Sequence, residues 1–394
     1  MAGRGLARRQ KLSRRAFLAA VGAGTPLFIG RHARAAPGKF QVDDVRTISR
    51  LPHQYHGWPT VTRRRNGQLV LTYSGGREAH VCPFGRVEMM TSDDGGDTWT
   101  YPRVLLDSAL DDRDSGVLET SRGTLLVTTF TSTAYVPILE RAIAAEDSRW
   151  PDDRLDRWSA AHRRLSDDQR KRDLGCWMLR STDGGMTFSA RYDSIVNSPH
   201  GPIELADGRL LYLGKELWAE EPWVGACVST DDGRTWRRLS RLPVRPGDTP
   251  ENYHELHGVE CPSGKIVCHI RNHNKANERE ILQCESTDGG ATWSVPHAIG
   301  VWGLPSHLLR LRDGRILMSY GYRREPFGCR VRVSVDEGAT WSEEIVLYDR
   351  ATNGDLGYPS TVELADGRLL SIWYELTEAS PYAVLRQCRW RLRD

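Results

Sequence analysis

Five times along the chain a serine opens the same eight-residue pattern, S-x-D-x-G-x-T-W or its phenylalanine variant. The segments are Ser92 to Trp99, Ser181 to Phe188, Ser229 to Trp236, Ser286 to Trp293 and Ser334 to Trp341. Each has the chemistry of a tight turn. The aspartate accepts from backbone N–H groups, the glycine permits φ > 0, and the aromatic is expected to pack back into its own sheet. One such turn is commonplace. Five with an aromatic at one offset are a repeat, and a repeat restricts the fold more than any local propensity does.

A second repeat interleaves with the first. Asn66-Gly67, Arg122-Gly123, Asp207-Gly208, Ser263-Gly264, Asp313-Gly314 and Asp366-Gly367 each stand between two strand-like runs. These are hairpin signals. Together the repeats define a unit: strand A, a short turn, strand B, a loop, strand C, the aspartate turn, strand D. Four-stranded sheets repeated in this way arrange radially. Six A–B turns therefore predict an all-β fold, a six-bladed β-propeller spanning residues 36–394. The sixth unit has no aspartate turn, so its outer strand is expected from Phe40 to Ile48, pairing the two ends of the chain. One interval is too long for a loop. Residues from Pro137 to Arg172 are rich in Ala, Arg, Asp and Glu at helical spacing, which predicts a helical insertion in the B–C loop of blade two.

The net charge of +3 misleads. Residues 1–35 hold eight Lys/Arg and no Asp/Glu; taking these eight from the chain's 54 leaves 46 basic against 51 acidic residues. The body is slightly acidic and offers no nucleic-acid footprint. The basic segment itself reads as a twin-arginine-type signal peptide. Ser13-Arg14-Arg15-Ala16-Phe17-Leu18 is followed by a mild apolar run and by Ala33-Arg34-Ala35, a small-x-small cleavage site. Export to the periplasm or beyond is the expectation. The run is too short and too interrupted by Gly and Pro to span a membrane. None of the eight cysteines forms a C-x-x-C pair, and several lie in strand-like runs where Cys acts as a small apolar residue.

Strand alternation sorts the chemistry. The A–B turns and the aspartate turns must share one face, so the beginnings of the A strands and the ends of the B strands share the other. On that second face stand His53, His56, His80, His200, His254, His257, His273 and His307, eight of the twelve histidines, with Arg77, Asp114, Glu255, Arg271, Arg323, Asp355 and Tyr358. Ionisable groups gathered around one axis describe a polar binding site. A metal centre is not expected. His254 and His257 lack the spacing of a helical ligand pair, and on a strand residues three apart point to opposite sides. No other cofactor is implied.

Five aspartate boxes on a six-unit pattern resemble the sialidase (neuraminidase) superfamily over nearly all of residues 36–394. The resemblance implies a glycan-acting enzyme and a set of site residues. Glu255 and Arg271 match the family's Glu at the start of an A strand and Arg at the end of the next B strand. Arg323 matches its Arg late in blade five, with Arg330 the alternative. Tyr358 matches the tyrosine nucleophile paired with that Glu. Two places depart. Gly57 stands where the first arginine of the family's carboxylate clamp belongs, leaving Arg77 as a substitute. The usual acid/base Asp is missing, leaving His80 and Asp114 as proton donors. His56, His200, His307 and Asp355 complete the candidate contacts to the sugar.

The leading expectation is an exported exo-glycosidase acting on a terminal acidic sugar. The rich supply of histidine also suits a polysaccharide lyase, in which a base removes the proton α to a uronate carboxylate. Trp58 and Trp373 on the same face keep a non-catalytic glycan-binding propeller as a third reading.

Overall fold

A computed structural model describes residues 40–43, 45–145 and 150–392. The basic leader lies outside the described residues. Blade one is built from Tyr55–Arg63, Leu69–Arg77, Arg86–Ser92 and Arg103–Leu106. Blade two has a broken A strand, Asp111–Arg113 and Val117–Glu119, then Leu125–Ser132, Cys176–Ser181 and Tyr192–Asp193. Blade three comprises Ile203–Glu204, Leu210–Glu216, Trp223–Ser229 and Arg237–Arg241. Tyr253–Glu260, Ile266–Asn272, Glu280–Ser286 and His297–Trp302 form blade four. Ser306–Arg310, Ile316–Tyr322, Gly328–Ser334 and Ile345–Tyr348 form blade five. Blade six takes Leu356–Glu363, Leu369–Thr377 and Ser380–Leu392 from one end of the chain and its outer strand from the other. Phe40–Val42 and Arg46–Thr47 both pair antiparallel with Ser380–Leu392, Phe40 opposite Leu392 and Arg46 opposite Gln387. The fold is a six-bladed β-propeller.

The inner strands bury their polar groups against one another. Thr72 Oγ1 donates to the Ser115 carbonyl at 3.0 Å, joining blade one to blade two. Between blades two and three the backbones touch directly: a Cβ on Gly116 would fall 2.4 Å from the Gly201 nitrogen. Ser198 Oγ donates to the Leu256 carbonyl, and the Leu308 N–H donates to His257 Nδ1 at 2.9 Å. Ser319 Oγ reaches the Pro359 carbonyl at 3.3 Å. The ring closes where the Val61 N–H donates to Ser360 Oγ at 3.1 Å.

Outside this polar ring the core is divided. Apolar clusters fill each of the six blade-to-blade interfaces rather than one central mass. Alternation along the strands explains this, since each sheet has an apolar side chain on both faces and a neighbour on both sides.

The aspartate boxes behave as turns of identical design. Asp288 accepts from the Thr292 N–H at 2.9 Å and from Thr292 Oγ1 at 2.6 Å, and Ser286 Oγ accepts from the Gly290 N–H at 2.9 Å. Hydrogen bonds from Thr292 hold the Asp288 carboxyl at about 2. The aromatic, however, does not close on its own sheet alone. In three of the five boxes its N–H staples the blade to the preceding one, whereas Trp236 Nε1 is buried without a partner among the described residues and Phe188 has no N–H to give. Trp99 Nε1 donates to Gln387 Oε1 of blade six at 2.8 Å, and Gln387 Nε2 donates to the Gly96 carbonyl at 2.9 Å. Trp341 Nε1 donates to Gln283 of blade four at 3.0 Å, and Trp293 Nε1 to Ser240 of blade three at 3.0 Å. An indole buried at an interface needs a partner for its N–H, and here the neighbouring blade supplies one, joined for Trp293 by the Gly290 carbonyl of its own box at 3.2 Å.

The insertion in blade two is three helices, α1 (Val136–Ala144), α2 (Asp152–His162) and α3 (Asp167–Asp173). Leu139 and Ala142 of α1 and Trp158 and Ala161 of α2 are buried. They pack on Val81, Cys82 and Phe84 in the B–C loop of blade one. Glu78 of that loop accepts from Trp158 Nε1 and Arg157 Nε, both at 2.9 Å. The insertion thus lies on the face of the B–C loops. All eight cysteines are buried and unpaired, and no helix among the described residues is long and apolar enough to cross a membrane.

The stapling glutamine gives a direct test. Gln387→Ala leaves the buried Trp99 N–H without a partner, which costs about 1–3 kcal/mol. Urea unfolding is expected to show that loss with an unchanged far-ultraviolet dichroism spectrum. A loss of only a few tenths of a kcal/mol would mean that the staple carries no stability.

Candidate functional site

The A strands are irregular where they begin. Register shifts fall between Gly57 and Thr60, between His254 and Leu256, and between Gly357 and Ser360. In blade two the strand breaks between Arg113 and Val117. Each irregularity holds one non-glycine residue in left-handed backbone: Trp58 at φ 54°, Asp114 at 51°, Glu255 at 34° and Tyr358 at 52°. Such a conformation costs roughly 1–2 kcal/mol per residue and collects at functional sites. Four such residues from four different blades converge on one axis.

Tyr358 and Glu255 meet there. Tyr358 Oη donates to Glu255 Oε1 at 2.5 Å. Arg271 Nη1 donates to Glu255 Oε2 at 2.5 Å and to Tyr358 Oη at 3.0 Å. Burial pushes the Glu255 carboxyl up, but the Arg271 charge and the bonds from Tyr358 and Arg271 outweigh it and hold the group below its ordinary range. Burial and the neighbouring Glu255 charge push the Tyr358 phenol well above 10. The pair at rest is therefore a neutral phenol beside a carboxylate. Arg323 lies over the Tyr358 ring, 5.8 Å from its centroid, anchored by Nε to the Leu356 carbonyl at 3.0 Å. Its Nη2 is buried with no partner among the described residues. Arg330, by contrast, spends its guanidinium on the Tyr348 and Pro326 carbonyls and on Glu344.

Asp114 is 5 % exposed. Burial pushes its carboxyl up to about 7, the Glu255 charge adds to the shift, and Arg113 and Arg271 oppose it. It is a carboxylic acid able to hold a proton near neutrality. His80 takes a different place, at the rim. Its Nδ1 lies 2.9 Å from Asp355 Oδ1. Asp355 also accepts from Tyr55 Oη at 2.9 Å and from Tyr374 Oη at 3.2 Å.

The other expected contacts are placed elsewhere. Arg77 is fully buried and forms a two-point ion pair with Asp111, at 2.6 and 3.0 Å. Its guanidinium also lies 4.8 Å from the Trp58 ring centroid, so it offers nothing to a carboxylate. His56 is fully buried against Tyr73, ring centroids 5.4 Å apart. The bulge around Gly57 turns it into the blade and brings Trp58 to the axis instead. His200 and His307 join His257 in a buried cluster, with centroids 4.9 Å apart for the first pair and 4.8 Å for His257–His307. His200 is 6.4 Å from the Tyr358 ring. Burial keeps all three imidazoles neutral, His307 down to about 3. They support the floor beneath Tyr358 from the axis. His254 faces His273, ring centroids 4.8 Å apart, while His257 joins the axial cluster.

Three neighbours were not singled out as contacts by the sequence pattern. Trp58 packs edge-on to His80 at 5.0 Å and to Tyr358 at 6.4 Å. Arg113 lies over Trp58, 4.6 Å from its ring centroid, with Nε buried and without a partner among the described residues. His273 Nε2 accepts from Arg271 Nε at 2.9 Å and fixes the plane of that guanidinium. Arg113 was visible only as the middle of an Asp-Arg-Asp run, whose alternation is broken by the gap in its strand.

Residues 148–371 match the family described as BNR repeat-like domain. The chain belongs to this family. No curated protein matches the sequence. Among solved structures, the BNR propeller is similar to a Dyadobacter fermentans protein of unknown function, with 23% identity and a TM-score of 0.73 over 91% of this chain and 100% of the other. A Hadza microbial sialidase, Hz136, gives 17% identity and a TM-score of 0.60 over 85% of this chain and 65% of that one. The intramolecular trans-sialidase of Ruminococcus gnavus, in complex with oseltamivir carboxylate, gives 14% identity and a TM-score of 0.59 over 86% and 94%. At these identities the likeness is one of fold: this BNR protein shares its propeller architecture with those two enzymes.

The burial of Arg77 predicts a structural role. Arg77→Met leaves the Asp111 carboxylate buried without its cation, a loss of about 3–5 kcal/mol. Adding Asp111→Leu is expected to restore part of that stability in denaturant unfolding. Full additivity of the two losses would show that the pair does not act as a pair.

Proposed function

We propose that the protein is an exo-acting glycoside hydrolase that releases a terminal acidic sugar, with Tyr358 as nucleophile. One observation carries this reading: the 2.5 Å contact from Tyr358 Oη to Glu255, with Arg271 bonded to both. A phenol is a poor nucleophile until a base takes its proton. Glu255 takes it as the bond from Tyr358 Oη to the anomeric carbon forms. Arg271 stabilises the charge that moves from the carboxylate toward the phenolic oxygen. A neutral nucleophile also suits a sugar that carries its own carboxylate, because an anionic one would be repelled.

Asp114 supplies the proton to the leaving oxygen, a task matched to a carboxyl held at about 7. The anionic group of the sugar is bound by Arg271 together with Arg323, whose Nη2 has no partner among the described residues. The clamp lacks a cation from the first blade, since Trp58 occupies that side and Arg77 is committed to Asp111. The α1–α2 hairpin, clasped to Glu78, walls the same face and favours attack at a chain end over an open groove. The basic leader with its Arg14-Arg15 pair supports export, and the enzyme would then meet glycans outside the cytoplasm.

Turnover on terminal sialoside and uronoside substrates tests the reading. Tyr358→Phe is expected to lower kcat by about a thousandfold or more, and Asp114→Asn by at least about a hundredfold on substrates with poor leaving groups. The pH profile carries a sign. Asp114 must be protonated, so activity falls as pH rises through about 7. Glu255 must be ionised and its pKa is lowered, so the acid limb lies below the ordinary carboxylate range. Full activity in Tyr358→Phe would sink the nucleophile assignment. A product with ultraviolet absorbance from a new double bond would instead identify a lyase. Replacing Arg14 and Arg15 by lysine is expected to leave the protein in the cytoplasm, as fractionation would show.

A further inference from the structure

We propose that His80 is the general base that activates water in the second half of this reaction, and that Asp355 sets it in that role. The inference rests on the hydrolase reading above and adds a residue to it.

The geometry fixes which nitrogen carries the proton. Asp355 is a carboxylate receiving three contacts: Tyr55 Oη, Tyr374 Oη and His80 Nδ1, at 2.9, 3.2 and 2.9 Å. Both tyrosine hydroxyls can satisfy it only by donating. A lone pair on Nδ1 would then point at a carboxylate oxygen 2.9 Å away and be repelled. In the neutral ring, Nδ1 must hold the proton, and Nε2 presents its lone pair. The Nε2 atom has no protein partner among the described residues, and the side chain is 44 % exposed, so water reaches it. An aspartate that fixes the tautomer of an imidazole by its Nδ1–H is the arrangement by which a histidine serves as a base.

The groups facing His80 come from four elements. Tyr55 belongs to strand A of blade one, and its Oη is 2.9 Å from Nδ1. Arg77 ends strand B of the same blade and donates to the His80 carbonyl at 2.9 Å. Arg113 lies in blade two and Asp355 precedes strand A of blade six. Burial and the two arginine charges lower the His80 pKa against the opposing pull of Asp355, which keeps the base form present at neutral pH. Trp58 packs edge-on to both His80 and Tyr358, at 5.0 and 6.4 Å between ring centroids.

The chemistry balances. After the first step the anomeric carbon is bonded to Tyr358 Oη, Asp114 has given its proton to the departing alcohol, and Glu255 holds the phenol proton. Water then attacks the anomeric carbon while its proton passes to His80 Nε2. The bond to Tyr358 Oη breaks, and that oxygen takes back its proton from Glu255. His80 loses its extra proton to solvent, and Asp114 regains one. This divides the work that a single acid/base group would otherwise do twice. On this proposal the acid role falls to Asp114, because the neutral His80 tautomer has no proton to give from Nε2.

Two measurements test the proposal. The first needs no substrate. Long-range nitrogen–proton NMR at neutral pH, with the His80 signals identified by their loss in His80→Gln, is expected to show Nδ1 protonated and Nε2 bare. Asp355→Asn is expected to change that tautomer balance. A protonated Nε2 in the wild type overturns the inference. The second uses an aryl glycoside of an acidic sugar. His80→Gln is expected to release one equivalent of the aryl alcohol in a burst and then turn over at least about a hundredfold more slowly. Azide, a nucleophile that needs no deprotonation, should restore the lost rate and trap a glycosyl azide. Wild-type turnover with no burst and no slowing in His80→Gln overturns the inference alone. Failure of the wild type to cleave any acidic glycoside, with the tautomer as expected, overturns the hydrolase reading and the water-activating role with it.

Discussion

A radial fold stands only if its last blade meets its first. Here that meeting is made three times. The strands Phe40–Val42 and Arg46–Thr47 complete blade six, the Val61 N–H finds Ser360 across the inner seam, and the Trp99–Gln387 staple locks the outer seam. The functional side chains stand on the strands of this ring or on the short segments that enter and leave them. Loss of closure would not merely loosen one blade. It would let the beginnings of six A strands drift apart, and the contacts that define the site run between blades: Tyr358 of blade six to Glu255 of blade four, His80 of blade one to Asp355 of blade six.

The division of the core explains how such a ring tolerates a polar axis. The apolar material lies between blades, so the axis is free to hold hydroxyls, imidazoles and charged groups whose partners come from neighbouring A strands. Burial then acts on them according to type. It keeps His200, His257 and His307 neutral, keeps Asp114 protonated up to about 7, and leaves Glu255 ionised only because Arg271 stands against it. One environment thus yields an acid, a carboxylate and an inert floor, through differences in the nearest charges and hydrogen bonds.

The sequence made the blade plan legible because turns have local chemistry. Ser286 to Trp293 announces its own geometry, and counting such turns counts the blades. Strand order then located the face of Glu255, Arg271, Arg323 and Tyr358 without any coordinate. What alternation cannot show is where alternation stops. The bulge at Gly57 sends His56 inward and Trp58 to the axis, and the break after Arg113 hides that residue's direction. Partners from a different blade were equally invisible. Arg77 looked free because Asp111 is distant in sequence, and Trp99 looked confined to its sheet because Gln387 lies at the other end of the chain.

The left-handed backbone at Trp58, Asp114, Glu255 and Tyr358 has an evolutionary consequence. Glycine at any of them would relax the chain by roughly a kcal/mol or more, a sizeable share of the 5–15 kcal/mol that holds a typical domain folded. A laboratory selection for heat resistance alone would be pulled two ways here: glycine relieves the backbone, but at Trp58 and Tyr358 it empties the core between blades six and one, and at Glu255 it leaves Arg271 without its anion. Large, ionisable and aromatic side chains held in conformations that disfavour them thus mark where the fold gives up backbone ease to place a group.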